Sequence, residues 1–419
     1  MPNKQIIYDV AVIGGGPAGM MAAGRAAEFG AKVILLERNK ALGRKLLLTG
    51  NERCNITHAG LNDKEFIKKL GKKGPWLFSV LAAFGPKDIM EFLAKRGLKT
   101  KIEKDGRVFP VSDRAQDVLN VFLKYLEEKG VKILCQEKIA GLNIKNKSVE
   151  SAQLANDRKI YAKAFILCSG GAAYPLTGSS GDGYEFAKKM GHNIIAPRPA
   201  LAPVEIAEDW VKKMPGLGLK NVEIRIIFDG KKQDSRTGDM IFTHYGISGP
   251  MVLDMSKKIA ELALAGKVSV EIDLKPEMDM KEADEWLRDE FVANANRDLK
   301  NYLPGIMPQR LAELFMELSK ISPKKKINLI TREERKKLLV LLKGLKMTAR
   351  GSMGFEQANI TSGGVDLAEI DSRTMMSKKI KNLFFAGEII DLDGPTGGYN
   401  LQICWSTGFA AGSNTGLGK

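Results

Sequence analysis

Three glycines near the start of the chain have the spacing of a phosphate-binding turn. The segment GGGPAG places Gly14, Gly16 and Gly19 after an apolar run and before small and apolar residues at helical spacing, which predicts a strand, a turn and a helix. In such a turn Gly14 permits the tight bend, Gly16 lets the backbone approach a pyrophosphate, and Gly19 lets helix and strand pack closely. The N–H groups at the start of the helix then face the phosphates.

An acidic residue at the end of the next strand supplies the second part of this signal. Glu37 ends the segment AKVILLE, 21 residues past Gly16, where a carboxylate can accept both hydroxyls of an adenosine ribose. A glycine-rich structural turn with an exposed glutamate is the alternative interpretation. The sequence of strand, turn, helix and acid predicts a dinucleotide site.

A second glycine-rich stretch, FAGEIIDLDGPTGGYNLQ, lies at 385–402. An apolar strand runs into Gly387 and Glu388, and a helix of small residues begins at the following glycines. NAD needs no such second element. FAD is longer and needs a strand end for its ribityl hydroxyls and a helix N-terminus near N1 and the C2 carbonyl of its ring. Glu388 and the amides of 398–401 fit these roles, so we expect noncovalent FAD; a capped surface helix with an acidic turn is the alternative.

The composition bounds the class of protein. The chain has 419 residues, 44% hydrophobic and 27% charged, as is typical of a globular protein with two or three domains. No apolar run reaches about 18 residues and the first residues do not resemble a leader, so we expect no membrane span and a cytoplasmic location. Four widely spaced cysteines predict neither disulfides nor a metal site. The net charge of +16 favours a polyanionic partner, most often nucleic acid or an anionic membrane surface.

Seven motifs along the chain resemble those of one family of bacterial flavoproteins. In chain order they are GGGPAG, GRKLLLTGNERCNITH, GRVFPVS, GGAAYPLTGSSGDGYEFAKKMGH, FTHYGISGP, TSGGV and FAGEIIDLDGPTGGYNLQ. The chain is similar in these segments, and over nearly its whole length, to the three-domain NAD(P)/FAD-dependent oxidoreductases, or aminoacetone-oxidase-like flavoproteins. One departure is that the family's run of glycines before RCN reads Thr49, Gly50, Asn51 and Glu52 here.

The resemblance implies an α/β fold in which a discontinuous, Rossmann-like FAD-binding domain is interrupted by insertions. Alternating segments such as NVEIRIIFDG and KVSVEIDL predict a β-rich insertion at 195–276, and the proline-rich stretch APRPALAPV at 196–204 suits the crossing into it. A change to helical period predicts a basic helical insertion at 277–345. The FAD-binding domain then comprises 1–194 and 346–419.

The resemblance also implies which residues contact the cofactor. It places the segment NERCNIT near the flavin and the turn in CSGGAAYP beneath the cofactor. Separately, we expect Lys45 and Arg53 to serve phosphate or ring electrostatics, with solvent exposure as the alternative. The expected FAD contacts are Gly14, Gly16, Pro17, Ala18, Gly19, Glu37, Arg38, Arg44, Lys45, Arg53, Cys54, Gly170, Gly387, Glu388, Gly398, Asn400 and Leu401.

Few residues are candidates for catalysis. The Cys54 thiol, with an ordinary pKa of about 8.5, is mostly protonated at neutral pH and could deliver a proton; a small buried cysteine that shapes the turn is the alternative. In this interpretation His244, with Tyr245, faces the substrate from the insertion, although a lone histidine is more often structural. Tyr399 either stacks at the flavin helix or simply packs there.

Two missing motifs constrain how electrons arrive. No second GxGxxG follows a strand and no CxxC pair occurs, so the sequence shows no separate nicotinamide domain. We expect NAD(P)H to dock transiently, deliver hydride to flavin N5 and leave before the substrate binds; a different physiological donor is the alternative.

The strongest concentration of charge lies in the helical insertion. Residues 320–346 contain ten Lys or Arg and two Glu, a net charge of +8. A solvated amphipathic helix explains this pattern as well as an RNA-binding surface does. Family members are associated with bile-acid enone reduction, aminoacetone oxidation and dihydrouridine formation in large-subunit ribosomal RNA. We predict an FAD-dependent reductase of a conjugated C=C bond, and the first choice of substrate is uridine in ribosomal RNA. The alternatives are a small-molecule enone reductase, an amine oxidase, and a flavin-bound RNA-binding or scaffold protein.

Overall fold

The computed structural model describes residues 6–415, which form two compact units. The first unit is the described part of Met1–Pro199 and Phe355–Lys419, and the second is Ala200–Gly354. Each unit has a hydrophobic core of its own.

The elements follow one another in this chain order. The first unit begins with β1 (Ile7–Ile13), α1 (Pro17–Glu28), β2 (Val33–Leu36), α2 (Arg44–Leu48), β3 (Thr57–His58), α3 (Asp63–Lys69), α4 (Phe78–Ala83), α5 (Pro86–Ala94), β4 (Thr100–Ile102), β5 (Arg107–Pro110), α6 (Ala115–Glu128), β6 (Lys132–Leu134), β7 (Ile139–Lys145), β8 (Ser148–Leu154), β9 (Lys159–Leu167), α7 (Asp182–Lys189) and β10 (Ile194–Ala200). The second unit contains β11 (Val204–Ile206), β12 (Gly218–Phe228), β13 (Lys231–Phe242), β14 (Gly246–Ser248), α8 (Pro250–Ala265), β15 (Val268–Asp273), α9 (Met280–Ala293), α10 (Leu299–Tyr302), α11 (Gln309–Ser319), α12 (Arg332–Lys343) and β16 (Leu345–Ser352). The first unit ends with β17 (Ile360–Val365), β18 (Leu383–Phe385) and α13 (Tyr399–Asn414).

A mostly parallel sheet is the centre of the first unit. Its order is β6-β2-β1-β9-β8-β7, and β18 pairs with the second half of β9. The register aligns Ile13 with Leu36 and Leu167, and Leu167 with Phe385. The carboxyl ends of β1, β2, β9 and β18 therefore meet at one edge, where ligands bind in open α/β sheets.

The two ends of the chain pack against each other through α1 and α13. Gly408 lies directly against the backbone of Ala18, so a side chain at this position would overlap the Ala18 carbonyl oxygen. The fold class predicted from the sequence, a discontinuous Rossmann-type domain with inserted structure, is confirmed.

The second unit is built on a closed β-barrel of order β11-β14-β13-β12-β15-β16. Leu345, Met347 and Ala349 alternate along β16 and are buried in the barrel core, so this strand belongs to the barrel and not to the FAD-binding segment that we began at residue 346. Helices α8 to α12 share the same core. The β-rich and helical insertions, which the sequence analysis separates at 276, thus lie within one compact unit. Within 6–415, no helix combines the length and hydropathy needed to cross a membrane.

Candidate functional site

A cleft opens at the carboxyl ends of β1, β2, β9 and β18, and its empty space, which includes space open to solvent, is about 920 Å³. Its wall includes Gly14, Gly16, Pro17, Ala18, Glu37, Arg38, Arg44, Lys45, Gly170, Gly387 and Glu388. The structure therefore brings residues from both ends of the chain to one cavity.

The glycine turn leaves an open approach to the first amides of α1. A Cβ at Gly14 would overlap the carbonyl oxygen of Cys168, and a Cβ at Gly19 would overlap the carbonyl oxygen of Gly14. At Gly16, by contrast, a Cβ would have none of the described atoms within 4 Å. Gly16 caps the helix without a side-chain hydrogen bond, and Pro17 follows it. A pyrophosphate can thus reach the N-terminal amides and the positive end of the helix dipole.

Glu37 is fixed at the end of β2 by hydrogen bonds from three donors. The residue is only 7% exposed, so the interpretation of an exposed glutamate is wrong. Its Oε2 accepts from the Gly15 N–H at 2.7 Å, and its Oε1 accepts from the backbone and side-chain nitrogens of Asn39 at 2.8 and 2.7 Å. A carboxylate has about four acceptor sites, and three are occupied here, so Oε2 keeps one site for a ribose hydroxyl.

The loop that contains Ser180 and Asp182 lines the cavity near Arg38, although the sequence did not predict this contact. Arg38 Nη1 lies 3.0 Å from Asp182 Oδ2 and also bonds Ser180. Arg44 Nη1 donates to Asn39 Oδ1 at 3.0 Å. Asp182 and Ser180 lie in the motif GGAAYPLTGSSGD, and the glycine-serine run before a helix was the available signal. These contacts hold both arginines along the cavity wall.

Lys45 and Glu388 form an ion pair at the other end of the cavity. The distance from Lys45 Nζ to Glu388 Oε2 is 2.8 Å, and the side chains are 20% and 17% exposed. Glu388 Oε1 also accepts from the Thr361 N–H at 2.8 Å. The short helix α2 positions Lys45, and the turn after β18 positions Glu388. The pair connects the two chain ends at the place where the ribityl chain of FAD is expected.

The remaining acids of the 385–402 stretch tie other segments to it. Asp391 Oδ1 accepts from Lys73 Nζ at 2.5 Å, and Asp393 Oδ1 accepts from Ser362 Oγ at 2.7 Å. Among the described residues, no group of three or more His, Cys, Asp or Glu side chains is placed to hold a metal ion. The acidic turn thus joins separate parts of the first unit.

The first turn of α13 is packed against β3 and α3. Gly398 has a φ of +96°, and a Cβ there would overlap the Thr57 carbonyl oxygen. The Tyr399 ring is buried between His58, stacked at a centroid distance of 4.9 Å, and Phe66 at 4.7 Å. This geometry favours the packing interpretation of Tyr399 over direct stacking on a flavin.

Asn400 and Leu401 also have structural partners. Asn400 Oδ1 accepts from the Gly394 N–H at 2.9 Å, and its Nδ2 donates to the Gly394 carbonyl at 2.9 Å, which closes the preceding turn. Leu401 is 9% exposed and belongs to the core. The cavity wall does not include these side chains, so any contribution they make to cofactor binding comes through the helix backbone.

The structure does not support Cys54 as a proton donor. The residue is 0% exposed and is not part of the cavity wall. Burial raises the pKa of its thiol to about 12, so the thiol is a weaker acid than the sequence analysis assumes. The thiol reaches neither solvent nor the cavity wall in this structure, so the alternative of a small buried residue that shapes the turn fits the geometry better.

Arg53 is likewise engaged away from the cavity. Its guanidinium lies 2.6 Å from Glu103 Oε1 and 2.7 Å from Asp113 Oδ1, and it covers the Phe109 ring at 3.9 Å. The hydrogen bonds that Arg53 donates, to Glu103 first and to Asp113 second, raise the pKa of its guanidinium. The predicted contact with phosphate or ring is therefore not seen, because partners 50 and 60 residues further along the chain satisfy the guanidinium.

His244 and Tyr245 lie in the turn between β13 and β14 of the second unit. Both are exposed, and Tyr245 is 60% accessible. Their rings are 6.4 Å apart. The role of His244 toward a substrate stays a prediction.

The groups around the cavity match the chemical parts of FAD in order. An open glycine turn at a helix N-terminus suits the pyrophosphate, the fixed Glu37 carboxylate suits the adenosine ribose, and Glu388 suits ribityl hydroxyls. The positions lie along one continuous wall. The chain's own donors and acceptors thus fit this cofactor.

Comparison with known proteins agrees with this geometry. Residues 8–414 match the family model described as "HI0933-like protein Rossmann domain". The chain is 31% identical over 406 residues to a 3-dehydro-bile acid delta(4,6)-reductase of Clostridium scindens, covering 96% of this chain and 98% of the relative. It is 28% identical over 403 residues to the ribosomal RNA dihydrouridine synthase of Escherichia coli, covering 96% of both chains.

A solved structure shows the same fold at lower sequence similarity. The 3-ketosteroid-delta4-(5alpha)-dehydrogenase of Rhodococcus jostii, solved with 4-androstene-3,17-dione, has a TM-score of 0.54 and 15% identity over 98% of both chains. At this identity the likeness concerns the fold alone.

Proposed function

Because the chain belongs to the HI0933-like family of FAD-dependent oxidoreductases, we propose that it reduces a conjugated carbon–carbon double bond, and that this bond is the C5=C6 bond of a uridine in large-subunit ribosomal RNA. The product is dihydrouridine. Full-length similarity to the ribosomal RNA dihydrouridine synthase of Escherichia coli supports this choice.

The chemistry of uracil suits a flavin reductase. Its C5=C6 bond is conjugated to the C4 carbonyl, so the net reaction adds a hydride and then a proton, with NAD(P)H as the hydride source. Bound FAD supplies the hydride-transfer chemistry. The chain's own residues would hold the cofactor, with Glu37 at the ribose, the start of α1 at the phosphates, and Lys45 with Glu388 at the ribityl end.

The charge that remains after internal ion pairing is the observation that carries the RNA proposal. In 320–346, Lys325, Lys326, Arg335 and Lys343 are paired with carboxylates, which reduces the effective charge of this segment. Six cations of the segment remain exposed and without an ion pair among residues 6–415; these are Lys320, Lys324, Arg332, Lys336, Lys337 and Lys346. A metabolite-sized substrate gives no reason for this surface, whereas RNA phosphates do.

Mass spectrometry of ribosomal RNA tests this proposal. Cells that lack the protein should lose dihydrouridine at a specific large-subunit position, and the wild-type gene should restore it. A Glu37→Lys gene should not restore it, because the cofactor site is damaged. Unchanged dihydrouridine in the deletion strain, together with turnover of free enones alone by the pure enzyme, would overturn the proposal.

A small-molecule enone is the second candidate. The observation that favours it is the 31% identity to the bile-acid reductase over 96% of this chain. Anaerobic reduction of the flavin by NADH or NADPH, followed by reoxidation with a steroid enone or with a ribosomal RNA fragment, separates the two candidates. Faster reoxidation by the RNA supports the first.

A further inference from the structure

We infer that exposed lysines on α3 and the turn after it form a surface that contacts RNA phosphates next to the active site. This lysine ledge consists of Lys64, Lys68, Lys69 and Lys72. The inference rests on the proposed function only in naming RNA as the polyanion.

The ledge is firmly attached to the turn that leads into α13. The Phe66 ring of α3 lies 4.7 Å from the Tyr399 ring. Leu70 packs on Gly394, where a Cβ would lie 2.7 Å from Leu70 Cδ2. These contacts use the apolar face of α3, so the lysines on the other face point to solvent on a fixed backbone.

An ion pair completes the attachment. Lys73 bonds the buried Asp391 at 2.5 Å, three residues after Glu388 of the cavity wall. The Trp76 Nε1–H donates to the Leu367 carbonyl at 3.1 Å. The ledge is therefore attached to the 388–391 turn, whose first residue, Glu388, lines the cavity.

The charge of the ledge is not neutralised within the described chain. None of its four lysines lies within 4.0 Å of a carboxylate oxygen among residues 6–415. Of the two acids on α3, Glu65 accepts from the Asn62 N–H in the helix cap and Asp63 lies in the first turn. Lys73, which does have a carboxylate partner, serves as the anchor.

RNA fits this arrangement better than a small apolar substrate does. A uridine that leaves its stack to reach the cofactor carries phosphates on both sides, and this extrusion costs a few kcal/mol that backbone contacts must offset. Cations on a surface that is attached to the 388–391 turn offer such contacts. Each contact to single-stranded RNA adds about 0.7 to the magnitude of the negative slope of log K against log salt concentration.

A pair of charge-matched variants tests the ledge. In one variant all four ledge lysines are changed to Gln. In the control, Lys32, Lys129, Lys132 and Lys159 are changed to Gln; these are exposed lysines at the amino ends of β2, β6 and β9, at the sheet edge opposite the cavity. Both variants lose four positive charges. FAD content, read from visible absorbance, verifies folding of each.

The first measurement is binding of a uridine-free RNA oligonucleotide over a range of salt concentrations. The ledge variant should bind at least about tenfold more weakly than the control. The magnitude of its slope of log K against log salt concentration should be smaller by about 3, the sum of four contacts. Equal weakening in the two variants would show a general charge effect and overturn the ledge.

The second measurement, dihydrouridine formation in a ribosomal RNA fragment, separates this inference from the proposed function. If the wild-type protein makes dihydrouridine and the ledge variant has the same KM for the RNA as the control variant, the ledge inference is wrong and the proposed function stands. Wild-type protein that makes none, but binds RNA through the ledge lysines, refutes the proposed substrate and supports the ledge.

Discussion

Glu37 and Glu388 end two strands of the same sheet, and their partners give them different roles. Glu37 is held by neutral N–H donors from Gly15 and Asn39, which leaves its negative charge available to ribose hydroxyls. Glu388 faces the ammonium of Lys45, which neutralises its charge. Among the described residues, the same residue type therefore keeps an unpaired charge at one end of the cavity and connects the two chain ends at the other.

Glu37→Lys should yield largely apo-protein. The change removes the acceptor of the Gly15 N–H and places a cation where hydroxyl donors must bind. The ratio of flavin to protein absorbance after purification measures the effect. Glu185→Lys, an equal charge change on the exposed side of α7, should keep full FAD content. Normal FAD content in Glu37→Lys would show that Glu37 does not bind the ribose.

Cys54→Ala should leave both half-reactions within about threefold of wild type and lower stability by about 1 kcal/mol, because the thiol is buried and shapes a turn. Stopped-flow measurement of flavin reduction by NAD(P)H and of reoxidation by substrate checks this, with Cys135→Ala as the control. A selective loss of roughly 10²-fold in reoxidation would restore the proton-donor role.

At the scale of elements, the loop after α2 concentrates backbone strain. Gly50, Asn51, Glu52 and Cys54 have φ values of 60°, 55°, 64° and 61°. Gly50 adopts such an angle without penalty, whereas the three other residues carry a side chain in the left-handed region. The Arg53 pairs to Glu103 and Asp113 hold the loop in this shape.

Glu52→Gly should change the free energy of unfolding by less than about 0.5 kcal/mol, because relief of left-handed strain offsets the added freedom of the unfolded chain. Glu91→Gly, in the exposed middle of α5, should cost about 1 kcal/mol. Urea unfolding of the two variants makes the comparison. Equal costs would mean that the loop is not strained.

The basic helix α12 contains cations of two kinds. Lys343 is 8% exposed, pairs with Asp273 at 2.7 Å and donates to the Lys275 carbonyl at 2.6 Å. Lys337, on the same helix, is exposed. The first stabilises the second unit, and the second is available to a partner.

Lys343→Met should lower the free energy of unfolding by about 3 kcal/mol, because it leaves a buried carboxylate with poor compensation. Lys337→Met should change it by less than about 0.5 kcal/mol. Chemical denaturation followed by circular dichroism measures both. Similar small effects would mean that Arg225, 3.4 Å from Asp273, suffices as its partner.

At the scale of the whole molecule, each unit has its own core, and the FAD cavity is built from the first unit. A ligand stabilises the unit that binds it, by about 2.7 kcal/mol at a concentration of 100 times its Kd. Hydrogen exchange can follow the two units separately within one chain.

Adding FAD to apo-protein should slow amide exchange strongly in β1, β9 and β18 and change it less than about twofold in β12 and β15 of the barrel. Mass spectrometry of peptides from each strand gives both rates. Equal protection in the two units would show that the chain opens as a single cooperative body.

The sequence by itself determined the fold class and the cofactor. Strand, turn and helix at the GGGPAG motif depend on residues close together in the chain, where spacing alone fixes which glycine must bend and which must stay open. The similarity of the C-terminal motif to the same family indicated that both ends form one FAD-binding domain. Such local patterns can be recognised in the sequence without knowing which distant residues pack against them.

Only the tertiary structure decided which polar side chains are free to bind a ligand and which are buried or paired within the protein. Lys45 and Glu388 are 343 residues apart, and Arg53 meets Asp113 after 60 residues, so no local pattern reveals either pair. The burial of Cys54 likewise depends on the elements packed around it. The sequence predicted that the FAD-binding segment begins at 346, and only the strand pairing shows that β16 belongs to the barrel. Burial and pairing are properties of neighbours in space, and the chain order does not encode them locally.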